Sequence, residues 1–323
     1  MSALLEISHL RVEVPTRHAR LVALDDVSLS IRPGEIMGLI GESGAGKSML
    51  GASVTGLLPS PARIAAGEIR LEGERIDNLP PAAMRHLRGA RIGAIFQDPM
   101  TTLDPLFTIG EQLMETLRAH RPLSRAEARA EALRWLVEVG IPAPEPRLES
   151  YPHEFSGGMR QRIVIALALC AGPRLVIADE PTTALDVSVQ AQIIALLRRL
   201  AREKGTAILL VTHDMGVIAE ACDRVAVLYA GRLAEVGPVG ALTQRPRHPY
   251  AAGLMASIPP VDRRLPQLPQ IEGAMPRLAA IPAGCAFHPR CARALPHCTA
   301  ERPPLMPGES QAACWEPIEH VHG

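Results

Sequence analysis

Apolar residues arrive along this chain in short uninterrupted runs, each bounded by glycine or an acid. Ile36-Met37-Gly38-Leu39-Ile40, Leu175-Val176-Ile177-Ala178, Ile208-Leu209-Leu210-Val211 and Val225-Ala226-Val227-Leu228 lack the polar alternation of a half-exposed strand. Runs of that kind predict parallel strands covered on both faces. Between the second and third, Val189, Ile193, Leu196, Leu197 and Leu200 recur at helical spacing and stop near Gly205. Strand, helix and strand in that order form the unit of an α/β sheet. From about Ile109 to Ala171 the texture changes. Glu111 to Ala119 and Ala126 to Val139 read as helices, the second closed by Gly140 with Pro142 beyond. A helical insert in the α/β core, over about residues 98–171, is expected.

Proline marks the next boundary. Fifteen of the 30 prolines fall in the 86 residues from Pro238 onward, a stretch unsuited to long helices or central strands. The expected organisation is a main domain over 1–240 and a small Pro/Cys-rich C-terminal module over 241–323. Composition narrows the function. Basic and acidic residues balance at 34 each, which argues against a nucleic-acid binder. No basic stretch followed by an apolar run opens the chain, so no signal peptide is read. The uncharged apolar stretch Ile163 to Pro173 is far short of the roughly 20 residues that span a bilayer. A soluble, intracellular chain is expected, with any membrane role borrowed from a partner.

The glycine-rich run Gly41-Glu42-Ser43-Gly44-Ala45-Gly46-Lys47-Ser48 fits the P-loop pattern between a strand and a helix. Such a loop turns backbone N–H groups inward on phosphates, and the helix dipole favours their charge. Lys47 is expected to reach the β- and γ-phosphates of ATP, and the Ser48 hydroxyl to ligate Mg²⁺. Asp179-Glu180 closes an apolar strand, which places Asp179 to hold Mg²⁺ and Glu180 to polarise an attacking water. In Phe155-Ser156-Gly157-Gly158-Met159-Arg160-Gln161, Ser156 is a good helix N-cap and two glycines permit close approach. A second phosphate grip on one chain makes sense when it clasps the ATP of a partner subunit.

The order P-loop, Phe96-Gln97-Asp98-Pro99, Ser-Gly-Gly, Asp-Glu, Ala184-Leu185-Asp186 and Val211-Thr212-His213-Asp214 resembles the ABC nucleotide-binding domain over residues 4 to about 240. The resemblance implies a P-loop NTPase fold and further roles. Gln97 would contact Mg²⁺ or water and report to the transporter, and His213 would contact the γ-phosphate. Asp186 would sit at the dimer seam. Ser156, Gly157, Gly158, Met159 and Gln161 would form the signature surface facing nucleotide. Residues 1–95 contain no Phe, Tyr or Trp. Arg17, His18, Leu21 or Val22 must therefore stand in for the aromatic that often stacks on adenine in this family.

A closer likeness is to ATPase subunits of bacterial dipeptide and oligopeptide permeases. Phe96 to Pro105, Ala178 to Val187, and Arg247-His248-Pro249-Tyr250 carry it, with Gly284-Cys285, Pro289-Arg290-Cys291, Cys298 and Cys314. It implies a homologous ATPase partner, two membrane-spanning permease subunits, an external binding protein, and a place at the cytoplasmic face of the inner membrane. Cys170 and Cys222 read as buried thiols. The other four cysteines crowd into the last 39 residues with spacings C-x5-C-x6-C-x15-C, neither a short zinc-finger nor a ferredoxin pattern. They suggest metal rather than disulfides in a cytosolic protein. The resemblance favours a [4Fe–4S] cluster over Zn²⁺ or bare thiols, with His288 and His297 as spare ligands. Two rivals carry less weight. A DNA-repair or translation ATPase typically has two cassettes or a long coiled coil, and an exporter would not carry this module. Peptides, nickel chelates and short sugars all remain open as cargo.

Overall fold

The chain opens with two strands, β1 (Leu5–Pro15) and β2 (Arg20–Ile31), whose residues alternate unevenly between core and solvent. The structure, a computed structural model, describes residues 3–183, 185–258 and 269–320. Two compact units share the chain: Leu5–Ser30, Met37–Asp77 and Thr212–Gly323 form one, Met1–Leu4, Ile31–Ile36 and Asn78–Val211 the other.

In the first unit, β3 (Ile36–Ile40) is buried at every residue and leads into α1 (Lys47–Thr55). β4 (Arg63–Leu71) and β5 (Glu74–Arg75) complete a four-stranded sheet in the order β2-β1-β4-β5. The antiparallel β1/β4 register runs from Leu5 opposite Leu71 to Glu13 opposite Arg63.

The second unit begins with α2 (Pro81–Leu87) and β6 (Ile92–Ile95) and then turns helical. α3 (Pro99–Thr102), α4 (Ile109–His120), α5 (Arg125–Glu138), α6 (Pro144–Arg147) and α7 (Gly157–Leu169) follow. Capping boxes start α4 and α5, Thr108 with Glu111 and Ser124 with Glu127. After them come β7 (Leu175–Asp179), α8 (Val187–Lys204) and β8 (Ala207–Val211). β6, β7 and β8 pair in parallel, with Ile95 opposite Ala178 and Asp179 opposite Val211. The stripe Ile193, Leu196, Leu197 and Leu200 is the buried face of α8. Each such side chain contributes roughly 1.5–3 kcal/mol on burial.

The chain returns to the first unit through α9 (Met215–Ala221), β9 (Arg224–Tyr229) and β10 (Arg232–Pro238). α10 (Val239–Gln244), α11 (Pro249–Ala256) and β11 (Gln311–Ala312) complete it. β3 and β9 run parallel, β9 and β10 antiparallel, and β11 adds to β10 with Ala312 opposite Glu235. The described part of the proline-rich stretch is thus a structured part of the unit that holds the P-loop. Glu235 shows how it is fastened. Its carboxylate has no solvent exposure and accepts the N–H groups of Arg247 and His248 and the Ser310 hydroxyl. No described helix is long and apolar enough to cross a membrane.

Candidate active site

The run Gly41–Ser48 joins β3 to α1, as the pattern requires. A Cβ at Gly41 would come within 2.2 Å of the Leu228 carbonyl oxygen, so only glycine lets the loop pass β9 there. Ala45 is buried, and its carbonyl accepts the Gly231 N–H at 2.8 Å. Lys47, 7% exposed, donates through Nζ to the Gly41 carbonyl at 2.9 Å and the Glu42 carbonyl at 3.1 Å. The ammonium is thereby held against the loop that would cradle phosphates. Lys47 opens α1 and Ser48 follows it in the first turn.

Strand register explains the second cluster. Because Ile95 and Ala178 lie side by side, the residues just past β6 and β7 leave the same sheet edge together. Gln97 and Glu180 meet there, the Gln97 Nε2 donating to Glu180 Oε2 at 3.2 Å. Thr183, which sequence reasoning does not single out, donates its hydroxyl to the same oxygen at 2.8 Å. Its only prior signal is its place in the Pro181-Thr182-Thr183 run. Glu180 adopts φ 47, a left-handed conformation that costs a non-glycine residue on the order of 1–3 kcal/mol. Its N–H is tied to the Val211 carbonyl at 2.8 Å, which helps hold that geometry. Asp179 ends β7 on this edge, a hard carboxylate of the kind that suits Mg²⁺.

The signature segment forms a capped helix start. Ser156 accepts the Met159 N–H at 3.4 Å, and Ser156 and Gly157 are exposed. A Cβ at Gly158 would lie 2.7 Å from Val189 Cγ1, so the glycine lets α7 pack against the start of α8. Gln161 stands apart from the rest. It is 1% exposed, so the expected nucleotide-facing role meets a side chain turned into the core, its Nε2 without a hydrogen-bond partner. Asp186 is the exposed N-cap of α8, accepting the Val189 N–H at 2.9 Å, while Ala184 lies outside the described residues. His213 is exposed just beyond β8, followed by Asp214 as N-cap of α9.

Among the described residues no three His, Cys, Asp or Glu side chains converge as they would on one metal ion. Cys285, Cys291, Cys298 and Cys314 nevertheless line one small recess, all as free thiols. The Cys285 N–H donates to the Cys298 carbonyl at 2.9 Å. Burial, with the other cysteines nearby, pushes the Cys314 thiol up to about 11. Cys170 and Cys222 are buried in apolar surroundings that push each to about 12. Beside the recess, His248 is fully buried and burial lowers it to about 4, so a neutral ring caps α11 by accepting the Tyr250 N–H through Nδ1. Of the residues considered for adenine, Arg17 and His18 are exposed in the turn between β1 and β2, and Leu21 and Val22 are half-buried.

Two family profiles match the chain: ABC transporter over residues 24–183, and the oligopeptide/dipeptide transporter C-terminal region over 234–298. The oligopeptide transport ATP-binding protein of Salmonella typhimurium is 46% identical over 323 residues, covering 99% of this chain and 96% of the relative. A putative peptide import ATP-binding protein of Brucella melitensis is 48% identical over 314 residues, covering 94% and 93%. Among solved structures, the ATP-binding cassette MJ0796, dimeric in a post-hydrolysis state with ADP and phosphate, superposes with a TM-score of 0.66 at 28% identity. That match covers 73% of this chain and 98% of the cassette.

Proposed function

This chain belongs to the ABC transporter ATPase family, in its oligopeptide/dipeptide branch, and from that premise we propose that its ATP hydrolysis drives peptide import through a membrane permease. Residues 1–240 are read as the catalytic cassette and 241–323 as the branch's extension. The observation that carries the mechanism is the Glu180 carboxylate, gripped by Gln97 and Thr183 at the end of a buried strand. A carboxylate fixed in this way can polarise a water for attack on the γ-phosphate, work worth roughly 10²–10⁴ in rate. Backbone amides of 41–48 and Lys47 hold the triphosphate. Ser48 and Asp179 supply oxygen ligands for Mg²⁺, which neutralises phosphate charge when bound. Ser156, Gly157 and Met159 at the α7 N-terminus, with Asp186, face the nucleotide of a homologous ATPase partner, and His213 senses the γ-phosphate. Glu180→Gln is expected to abolish turnover while ATP stays bound; undiminished hydrolysis would remove Glu180 from this role.

The way to the membrane runs through Gln97. In the same stretch of chain, Phe96, Met100, Leu106 and Phe107 are exposed at 47%, 52%, 80% and 48%. Large apolar side chains facing water in one stretch are read as an interaction surface. It suits helices of two permease subunits at the cytoplasmic face of the inner membrane, with an external binding protein delivering the peptide. The four cysteines of the shared recess are read as ligands of a [4Fe–4S] cluster. Iron and sulfide in equal, stoichiometric amounts in anaerobically purified protein are expected. Zinc alone, or metal-free thiols, would overturn that reading.

A further inference from the structure

Glu42 is a carboxylate inside a loop built to bind phosphate, and its charge opposes nucleotide at close range. Its partner lies 248 residues further on. Arg290 Nη1 donates to Glu42 Oε2 at 2.9 Å and Nη2 to Oε1 at 3.1 Å, a bidentate pair. The guanidinium is itself fixed. Its side chain is 6% exposed, it donates to the carbonyls of Ile271, Glu272 and Gly273, and it lies over the Tyr229 and Phe287 rings. The backbone of Glu42 is held from the same quarter, because its N–H donates to the hydroxyl of fully buried Tyr250 at 2.8 Å. Met275, close to the guanidinium's carbonyl partners in sequence, packs so near Gly44 that a Cβ there would meet its Cε at 3.1 Å. The second residue of the P-loop is therefore clamped through main chain and side chain by the C-terminal extension.

We propose that Arg290 is a positioning residue for ATP binding: it neutralises Glu42 and fixes the P-loop so that its amides stay directed at phosphate. The proposal rests on the reading that this loop holds the triphosphate. It assigns the extension a task in nucleotide affinity, whatever its cysteines hold. A bare carboxylate left at the loop would raise the Michaelis constant for ATP more than it lowers turnover, since the reacting groups Gln97 and Glu180 are untouched.

The test is steady-state ATPase kinetics and equilibrium binding of ATP to the full chain, monitored with thermal melting. Arg290→Gln is expected to raise the KM and Kd for ATP about tenfold or more while kcat changes less than about threefold. Adding Glu42→Gln to that variant should recover most of the lost affinity, because the offending charge is gone. A merely structural link would make the double variant no better than the single one. An unchanged KM in Arg290→Gln, or a double variant that fails to recover, overturns the proposal. Should Arg290→Gln not fold, the neutral and similarly long Arg290→Met carries the same comparison. Its KM is expected to rise severalfold and to fall back when Glu42→Gln is added, and an unchanged KM overturns the idea. Lys47→Ala, run alongside, separates the premises. If it binds ATP normally the loop is not the nucleotide site, whereas loss there with no effect at Arg290 defeats only the clamp.

Discussion

Two neighbours hold the carboxylate of Glu180, the proposed general base. Gln97 reaches it from the end of β6, and Thr183 from three residues on, both donating to one carboxylate oxygen. Removing the hydroxyl with Thr183→Ala should lower kcat about threefold to tenfold, with little change in KM, because one of two orienting bonds is lost. An unchanged kcat in single-turnover measurements would show that the threonine does not orient the base. The motif residues here are legible from the sequence because each carries a chemical signature at a fixed spacing. Thr183 and Arg290 are not. Neither residue type announces a partner, and Arg290 acts across 248 positions that no local pattern spans. Gln161 shows the reverse error, since motif membership placed at the surface a side chain that the fold buries.

Element by element, the apolar runs mark their strands to within a residue: Leu175–Asp179, Ala207–Val211 and Arg224–Tyr229 each enclose the predicted run. The expected helices Glu111 to Ala119 and Ala126 to Val139 fall on α4 and α5, within two residues at each end. The opening sheet is less legible because a period-two pattern needs constant phase. In β1 the register shifts between Ser8 and Arg11, and His9 turns to φ 51, so buried Leu5 and Ile7 are followed by buried Leu10 and Val12. α11 carries a pH prediction. Its cap His248 must be neutral when folded, with a value near 4 against 6.5 for an ordinary histidine. The unfolded chain therefore takes up a proton first, and stability present above about pH 6.5 is lost as pH falls towards 4, by roughly 3 kcal/mol in all. His248→Asn keeps an oxygen able to cap the helix but cannot titrate. In urea unfolding, its deficit relative to the parent is expected to shrink by roughly 2 kcal/mol between pH 7.5 and pH 5. A deficit independent of pH would contradict this account.

For the molecule as a whole, the prediction concerns the permease. Leu106, the most exposed of the four apolar residues in the stretch 96–107, is 80% exposed, so a polar replacement removes little packing. Leu106→Asp is expected to abolish co-purification of the permease chains while the variant still binds ATP. Retained co-purification would move the docking surface elsewhere. At this scale sequence reasoning places the P-loop cassette and the cysteine-bearing extension in order, but it treats the latter as an appendage. Proline content argues against long elements, yet it cannot reveal that one short strand, Gln311–Ala312, completes a ladder begun eighty positions earlier.

That closing strand has a practical corollary for anyone seeking a minimal version of the ATPase. Glu235 is walled in by amides from Arg247 and His248 and by the Ser310 hydroxyl. A gene trimmed after residue 240 would strip every one of those groups away and strand an ion in oil. Leaving a buried charge without its counterparts costs several kcal/mol, a large part of what keeps a domain folded. Shortened versions should therefore come out as inclusion bodies rather than as a leaner enzyme.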